Sequence, residues 1–504
     1  MTDFISLKQL LYSKKMLWAI IAIGIIFRLV PYAANCSLWV DEAAISSNIV
    51  NRSFAGLLQQ LDMEQGAPPG FLFLEKFATQ IFGNNEYALR LFPLIFGILA
   101  IFLFVKVSKI TLNPLVLVGA VLLFVIHRTA INFAVETKQY SSDIFFSLFI
   151  ILATLKTSTD KITLKNFLLF GAAGVVAQLF SHASVFVMAG CGTTMIVASL
   201  MKKDYMRFKF YLLVSSVWLL FFGVLYFLLF RHFASNQAQQ FFWTNAFMPF
   251  PPRSFTEVIW PFVKFYQLFK NPMGFTFAGV AVFLFISGGI YQYSRNRQFL
   301  LMLVLPIVFA LIASAFHKYP FEDRVMIFSL PAFIILIVNG IYFAVLQVKK
   351  FKPIVAVVFL ILILGPMTVK AMIFVVKPQR EEIKDVLTFM EKNIKNGDKI
   401  YVAYYAQRAF TFYKERYSLS GFEIIPGHRN NADAKHIKEI KKLDNQGRVW
   451  FVFTYWEKNR NEDLLMTKYL TKNYKILYEI YSTEATGLLV DMTIPEPVEL
   501  KQTK

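Results

Sequence analysis

Residues 14–42 read KKMLWAIIAIGIIFRLVPYAANCSLWVDE, and this stretch decides the fold. Lys14 and Lys15 precede an apolar run over 16–34, close to the twenty or so residues a helix needs to cross a ~30 Å hydrocarbon core. The run is long and has no clear small-residue cleavage site, so it reads as a retained span and not a signal peptide. Charge returns as soon as it ends, in Trp39-Val40-Asp41-Glu42. Comparable runs occupy 87–105, 112–127, 140–155, 165–181, 183–200, 210–230, 274–292, 298–316, 325–346 and 353–376, about eleven spans by length. Every second connection is basic: Lys106 and Lys109; Lys156, Lys161 and Lys165; Lys202, Lys203, Arg207 and Lys209; Arg295 and Arg297; Lys349, Lys350 and Lys352. By the positive-inside rule these loops and the amino terminus are cytoplasmic. Trp39 to Glu86, Arg128 to Tyr140, His182, Arg231 to Pro272, His317 to Arg324 and everything after Lys377 then lie outside.

Composition agrees. A 504-residue chain with 56% hydrophobic residues and mean hydropathy +0.51 is a polytopic α-helical membrane protein with room for one soluble domain. Its formal charge of +20 resides in short loops beside apolar runs and in the tail, which is the signature of topology and not of nucleic-acid binding. Cys36 and Cys191 support neither a disulfide framework nor a Cys/His metal cluster. The expected organisation is a transmembrane domain over 1–376, with a first outer loop at 35–86, and an extracytoplasmic α/β domain over 377–504.

The outer loops carry the chemistry. From Ala43 onward, Ile45, Ile49, Phe54, Leu57, Leu58 and Leu61 recur at roughly helical spacing, which predicts a helix along the membrane surface. Gly66-Ala67-Pro68-Pro69-Gly70 breaks it, and Phe71 to Phe82 forms a second amphipathic piece before the Gly83-Asn84-Asn85 turn. Asp41 has two readings: a general base, kept partly desolvated where the chain leaves the bilayer, or a helix N-cap with Glu42 favoured by the helix dipole. Arg128, Lys138 and Arg324 are span-end cations at the depth of a lipid phosphate, Arg324 foremost; the alternative for a span-end arginine is a snorkelling anchor. Glu136, Lys138 and Tyr140 could instead pair locally within their turn. His182 is a polar residue in a tight turn or a sugar or phosphate contact. The aromatic loop with Phe241, Phe242, Trp243, Phe247, Phe250 and Trp260 reads either as an interfacial belt or as a lid over a lipid entrance.

Four motifs together resemble the C-type glycosyltransferases, in particular the group of protein O-mannosyltransferases and lipid A aminoarabinose transferases (glycosyltransferase families 39 and 83). They are Trp39-x-Asp41-Glu42, Ala67-Pro68-Pro69-Gly70, Asn85-Glu86-Tyr87-Ala88-Leu89-Arg90-Leu91 and Glu136-x-Lys138-x-Tyr140. His317-Lys318-Tyr319-Pro320-Phe321-Glu322-Asp323-Arg324, before a span with Pro331, resembles the same superfamily's late outer turn. The resemblance implies transfer of a sugar from a polyprenyl-phosphate carrier on the outer leaflet, with Asp41 as catalytic base and Glu42 orienting or substituting for it. The acceptor would be a glycan, lipid or protein. Two departures stand out. Where lipid A transferases carry Glu-Lys-Pro-Pro and the mannosyltransferases His-Pro-Pro, this chain has Glu64-Gln65-Gly66-Ala67-Pro68-Pro69, so acceptor identity does not carry over. No cofactor is required by this reading, although Asp41, Glu42 and Glu64 could hold a divalent ion.

Past Lys377 the periodicity changes. Glu381–Lys395 and Gln407–Tyr417 are helical, as is the segment near Asp463–Tyr469; Lys399–Tyr404, Phe422–Pro426, Val449–Thr454, Ile476–Tyr481 and Gly487–Asp491 alternate like strands. No G-x-G-x-x-G or P-loop sequence occurs, so nucleotide binding has no support. The competing functional class is a flippase or transporter of a lipid-linked sugar, which would place ionisable residues near the bilayer midplane.

Overall fold

A segment surrounded by hydrocarbon satisfies its backbone N–H and C=O groups only within itself, so the apolar runs become helices. The computed structural model describes residues 14–231, 237–348, 352–378, 380–429, 433–454 and 462–495. In chain order its main helices are α1 (Lys14–Ala33), α2 (Val40–Asn51), α3 (Pro69–Phe82), α4 (Leu91–Thr111), α5 (Pro114–Val125), α6 (Arg128–Phe133), α7 (Tyr140–Thr159), α8 (Leu164–Phe180), α9 (Ser184–Met201) and α10 (Tyr205–Leu225). They continue with α11 (Phe255–Lys270), α12 (Ala278–Arg295), α13 (Arg297–Ala315), α14 (Leu330–Gln347), α15 (Lys352–Val376), α16 (Ile383–Asn393), α17 (Gln407–Tyr413), α18 (Asp433–Lys441) and α19 (Glu462–Asn473). Among the described residues eight helical segments are long and apolar enough to cross a membrane, while α5 and α8 are apolar but shorter. The protein is a multi-pass membrane protein. Lys349 and Lys350, counted above among the loop cations, lie outside the described residues.

The chain forms two compact units: Met1–Ala34 with Arg52–Lys377, and Asn35–Asn51 with Pro378–Lys504. In the first, α12 and α14 approach at backbone distance. A Cβ built on Gly288 would sit 1.8 Å from the Leu336 carbonyl oxygen, and one on Gly340 would sit 1.9 Å from that of Leu284. Small residues permit such crossings in membranes, and the Asn339 amide adds an interhelical hydrogen bond to Gln292 (3.1 Å). The spans are less free of charge than a hydropathy reading suggests. Arg28 is buried in α1 and donates to the Gly24 and Val125 carbonyls at 2.8 and 3.3 Å, Asp143 is buried in the first turn of α7, and Lys370 lies in α15. Each stands within about two turns of a helix end, not at mid-span.

The first outer loop departs from the expected long surface helix. Helix α2 stops at Asn51, and Leu57, Leu58 and the stretch after Leu61 fall in short 3-10 turns, Gly56–Leu58 and Asp62–Glu64. Met63 and Glu64 take left-handed backbone angles (φ 56° and 57°), which breaks any helical continuation. Nor is α2 amphipathic: Val40, Glu42, Ala43, Ala44, Ile45, Ser46, Asn48 and Ile49 are all buried. After the break, α3 begins with Pro69 in its first turn, where a missing N–H costs nothing.

The second unit contains a five-stranded mixed sheet: β1 (Lys399–Val402), β2 (Glu423–Pro426), β3 (Arg448–Thr454), β4 (Tyr474–Ser482) and β5 (Ala485–Pro495), in the order β2-β1-β3-β5-β4. β1 runs parallel to β2 and β3; β5 is antiparallel to β3 and β4. Trp450 is fully buried, and Phe451 and Val490 pack in the core with Leu470 from α19. Each strand expected from alternation is present. Helix α18 was not anticipated, since its polar sequence carries few apolar positions.

Candidate active site

In the membrane unit the loops at one end are tied together. Lys138, 6% exposed, donates from Nζ to the Gln65 side-chain oxygen at 2.7 Å, joining the α6–α7 turn to the Pro-Pro loop. Gln239 donates to the Glu64 carbonyl (2.6 Å) and Gln240 to the His317 carbonyl (3.0 Å). The Phe321 N–H donates to the Ala246 carbonyl at 2.8 Å. Lys264 pairs with Glu322 at 2.6 Å, and Thr129 donates to the Pro272 carbonyl at 2.8 Å. The aromatic segment is therefore anchored, with helical pieces at Gln237–Phe242, Thr244–Ala246 and Phe255–Lys270 and non-helical chain over 247–254; Phe247 is buried, whereas Phe241, Phe242 and Phe250 remain exposed.

Arg324 lies in a 3-10 stretch, Asp323–Ser329, that leads into α14. Its guanidinium stands 5.9 Å from the Tyr140 ring centroid, which brings two of the sequence-selected residues together. Tyr140 also contacts the Phe133 ring at 4.6 Å. Glu136 accepts from Asn132 (2.9 Å), and Lys138, from the same turn, reaches Gln65. Arg128 is exposed at the start of α6, 5.7 Å from the Phe374 ring. His182 meets Phe230 edge-on at 4.6 Å, and desolvation pushes its pKa down to about 4. Glu64 is exposed, and Pro68 and Pro69 are buried.

Two side chains not singled out as candidates by the sequence reading join this end. Asp143 accepts from the Ser181 hydroxyl at 2.6 Å, and that same hydroxyl accepts from the Ser184 N–H, which fixes the α8–α9 turn around His182. Tyr319 donates to the Val325 carbonyl at 2.6 Å and packs on Phe186 at 4.7 Å. Burial, then the nearby Asp143 and Tyr140, push its pKa well up. Asp143 was detectable as a lone acid at the head of an apolar run; Tyr319 lay within the quoted His317–Arg324 turn.

Asp41 and Glu42 belong to the second unit. Because α2 begins at Val40, both lie inside its first turn and neither occupies the N-cap position. Asp41 Oδ1 faces Arg408 Nη1 at 3.6 Å, and Asp41 is 14% exposed. Glu42, wholly buried, pairs with Arg380 at 3.3 Å. No sequence signal could have paired residues more than 300 positions apart. Among the described residues no group of three or more His, Cys, Asp or Glu side chains stands together to hold a metal ion. With both carboxylates facing arginines, the donor set does not fit a divalent cation.

No family model matches the sequence, and no curated protein matches it in sequence. Solved structures do match. The crystal structure of ArnT from Cupriavidus metallidurans in the apo state gives a TM-score of 0.52 at 13% identity, over 95% of this chain and 98% of that one. The same protein bound to undecaprenyl phosphate gives 0.51 at 11% identity, with the same coverage. The archaeal oligosaccharyltransferase AglB from Archaeoglobus fulgidus, in complex with an inhibitory peptide and a dolichol-phosphate, gives 0.51 at 13% identity over 96% of this chain and 76% of that one. The chain thus has the C-type glycosyltransferase fold.

Proposed function

We propose that this protein is a membrane glycosyltransferase that takes a sugar from a polyprenyl-phosphate carrier and passes it to a hydroxyl or phosphate acceptor at the outer face of the cytoplasmic membrane. The observation that carries the reading is a fold likeness spanning 95% of the chain to a protein solved with undecaprenyl phosphate bound. The tethered loop end with Arg324 above Tyr140 supports it. In the topology that goes with this reading the amino terminus is cytoplasmic and the second unit external. For a hydroxyl acceptor, the acceptor O–H gives its proton to an Asp41 carboxylate oxygen as its oxygen bonds to the anomeric carbon. The bond from that carbon to the phosphate oxygen breaks, and its electron pair leaves with the lipid phosphate. Arg324 stabilises that charge, with Lys138 and Arg128 as further cations at headgroup depth; fixed cations in a low-dielectric site favour a developing anion strongly. Tyr140 and Glu136 line the sugar side, and the Glu64 and Pro68-Pro69 turn supports the loop.

The test is sugar release and transfer from a panel of synthetic polyprenyl-phosphate pentoses and hexoses by purified protein in detergent, where a flippase would release nothing. Asp41→Asn keeps the shape but accepts no proton near neutral pH, so transfer should fall by roughly 10²-fold or more while donor binding persists. Transfer within about threefold of the unmutated protein would remove Asp41 from the chemistry. Glu42→Gln removes the negative charge that faces Arg380 in a buried site and should cost mainly stability, roughly 3–5 kcal/mol.

A further inference from the structure

The helix that bears Asp41 is built into the carboxyl-terminal unit and not into the membrane bundle. Residues 35–51 cluster with Pro378–Lys504, and the attachment is specific. The Ser37 N–H and hydroxyl both donate to one Glu382 oxygen, at 3.1 and 2.9 Å. The Lys384 N–H donates to the Ser37 hydroxyl at 3.2 Å, and the Leu38 N–H donates to the Tyr413 hydroxyl at 2.9 Å. Two ion pairs then differ in kind. Glu42 and Arg380 are sealed from solvent at 3.3 Å, as befits a structural lock. Asp41 and Arg408 stand 3.6 Å apart, too long for a direct hydrogen bond, with Arg408 30% exposed, so the guanidinium acts on the Asp41 carboxylate through its charge. Arg408 sits at the second position of α17, just beyond the carboxyl end of β1. The carboxyl ends of parallel strands are where open α/β sheets gather functional groups.

We propose that Arg408 is a positioning residue for the reaction, steering the Asp41 carboxylate and holding it in its ionised, proton-accepting form, so that the carboxyl-terminal unit is part of the catalytic apparatus. This rests on Asp41 being the base. Charged groups near Asp41 include Arg408 from α17 at 3.6 Å and, alongside on α2, Glu42, which pairs with Arg380. An opposite charge within about 4–6 Å favours a carboxylate's charged form by roughly one unit or more of pH.

The experiment reads Asp41 itself. Full-length protein is treated with dicyclohexylcarbodiimide, which reacts with protonated carboxyls, across pH 4–9, and the Asp41 peptide is quantified by mass spectrometry. Arg408→Met should move the midpoint of Asp41 reactivity up by about one pH unit or more. Arg408→Lys should restore it, and Asp204, remote in sequence and on a loop of the other unit, should titrate unchanged. Arg408→Gln replaces Arg408→Met if that variant does not fold. The acid limb of sugar release should move in step with Asp41. Coincident Asp41 curves for Arg408→Met and the unmutated protein overturn this inference and leave the base assignment standing. A shifted curve combined with full transfer by Asp41→Asn overturns the base assignment, and this proposal with it.

Discussion

Gly288→Ala should damage this protein where its neighbour Gly289→Ala does not. A Cβ at 288 would lie 1.8 Å from the Leu336 carbonyl oxygen and 2.8 Å from the Gly340 nitrogen, both backbone atoms that no rotamer change can move. A tolerable C···O contact is about 3.3 Å, so α12 and α14 must part by roughly 1.5 Å at the crossing. A gap of that size forfeits at least half of the dispersion attraction along the seam, and overpacking of this kind costs about 1–3 kcal/mol or more. An added Cβ on Gly289 meets nothing within 4 Å, and alanine there gains up to ~1 kcal/mol of helix propensity. The assay is apparent unfolding temperature in one detergent at one scan rate. Gly288→Ala should fall by roughly 5 °C, and Gly289→Ala should hold or rise. Because α14 continues from the 3-10 stretch that carries Arg324, Gly288→Ala should also weaken binding of a polyprenyl-phosphate donor. Equal unfolding temperatures for the two alanine variants would refute the close-crossing argument.

Three other outcomes are expected. Arg324→Ala should weaken donor binding by roughly 10- to 150-fold, the worth of ~1.5–3 kcal/mol for a hydrogen bond to a charged group, and Arg324→Lys should recover part of it; unchanged donor titrations would reduce Arg324 to an interfacial anchor. Glu75 on α3 is fully buried, with neither carboxylate oxygen hydrogen-bonded among the described residues, and desolvation raises its pKa well above the usual carboxylate value. Its folded form therefore holds a proton that the unfolded form has released, so stability is greatest at acid pH and falls as pH rises from about 4.5 toward the raised pKa; Glu75→Gln should flatten that slope in detergent melts between pH 5 and 8. In a protein without Cys36 and Cys191, a cysteine at Lys203 should resist an impermeant thiol reagent in intact cells while one at Glu484 labels. The reverse pattern would invert the proposed topology.

The sequence disclosed what repetition encodes. Apolar runs and alternating strands needed only local periodicity, and α3 and β1 to β5 appear where spacing placed them. Helix α2 did not, because its burial comes from contacts with α17, which lies more than 350 residues downstream in the chain. The apparent helical rhythm from Ile45 to Leu61 ran across the break at Asn51 since apolar residues in 3-10 turns also recur every three or four positions. Arg324 and Tyr140 could each be chosen for sidedness, yet only the fold shows one over the other. Arg380 and Arg408 sit in helix-rich, unremarkable sequence, and their partners are unreadable without the tertiary structure.

That hidden pairing changes what a truncation can mean. A chain ending at Lys377 would retain all eight helical segments that, among the described residues, are long and apolar enough to span the membrane. It would lose Glu382, Lys384 and Tyr413, which fix residues 35–38, together with both arginines facing Asp41 and Glu42. Glu42 would lose its buried ion pair with Arg380, and Val40, Ala43, Ala44 and Ile45 would lose the packing of the unit they belong to. Inactivity of such a fragment would therefore say nothing about acceptor recognition by the carboxyl-terminal unit. The point substitutions at Arg408 keep α2 anchored through Ser37, Leu38 and Glu42, and so separate steering of the base from its attachment.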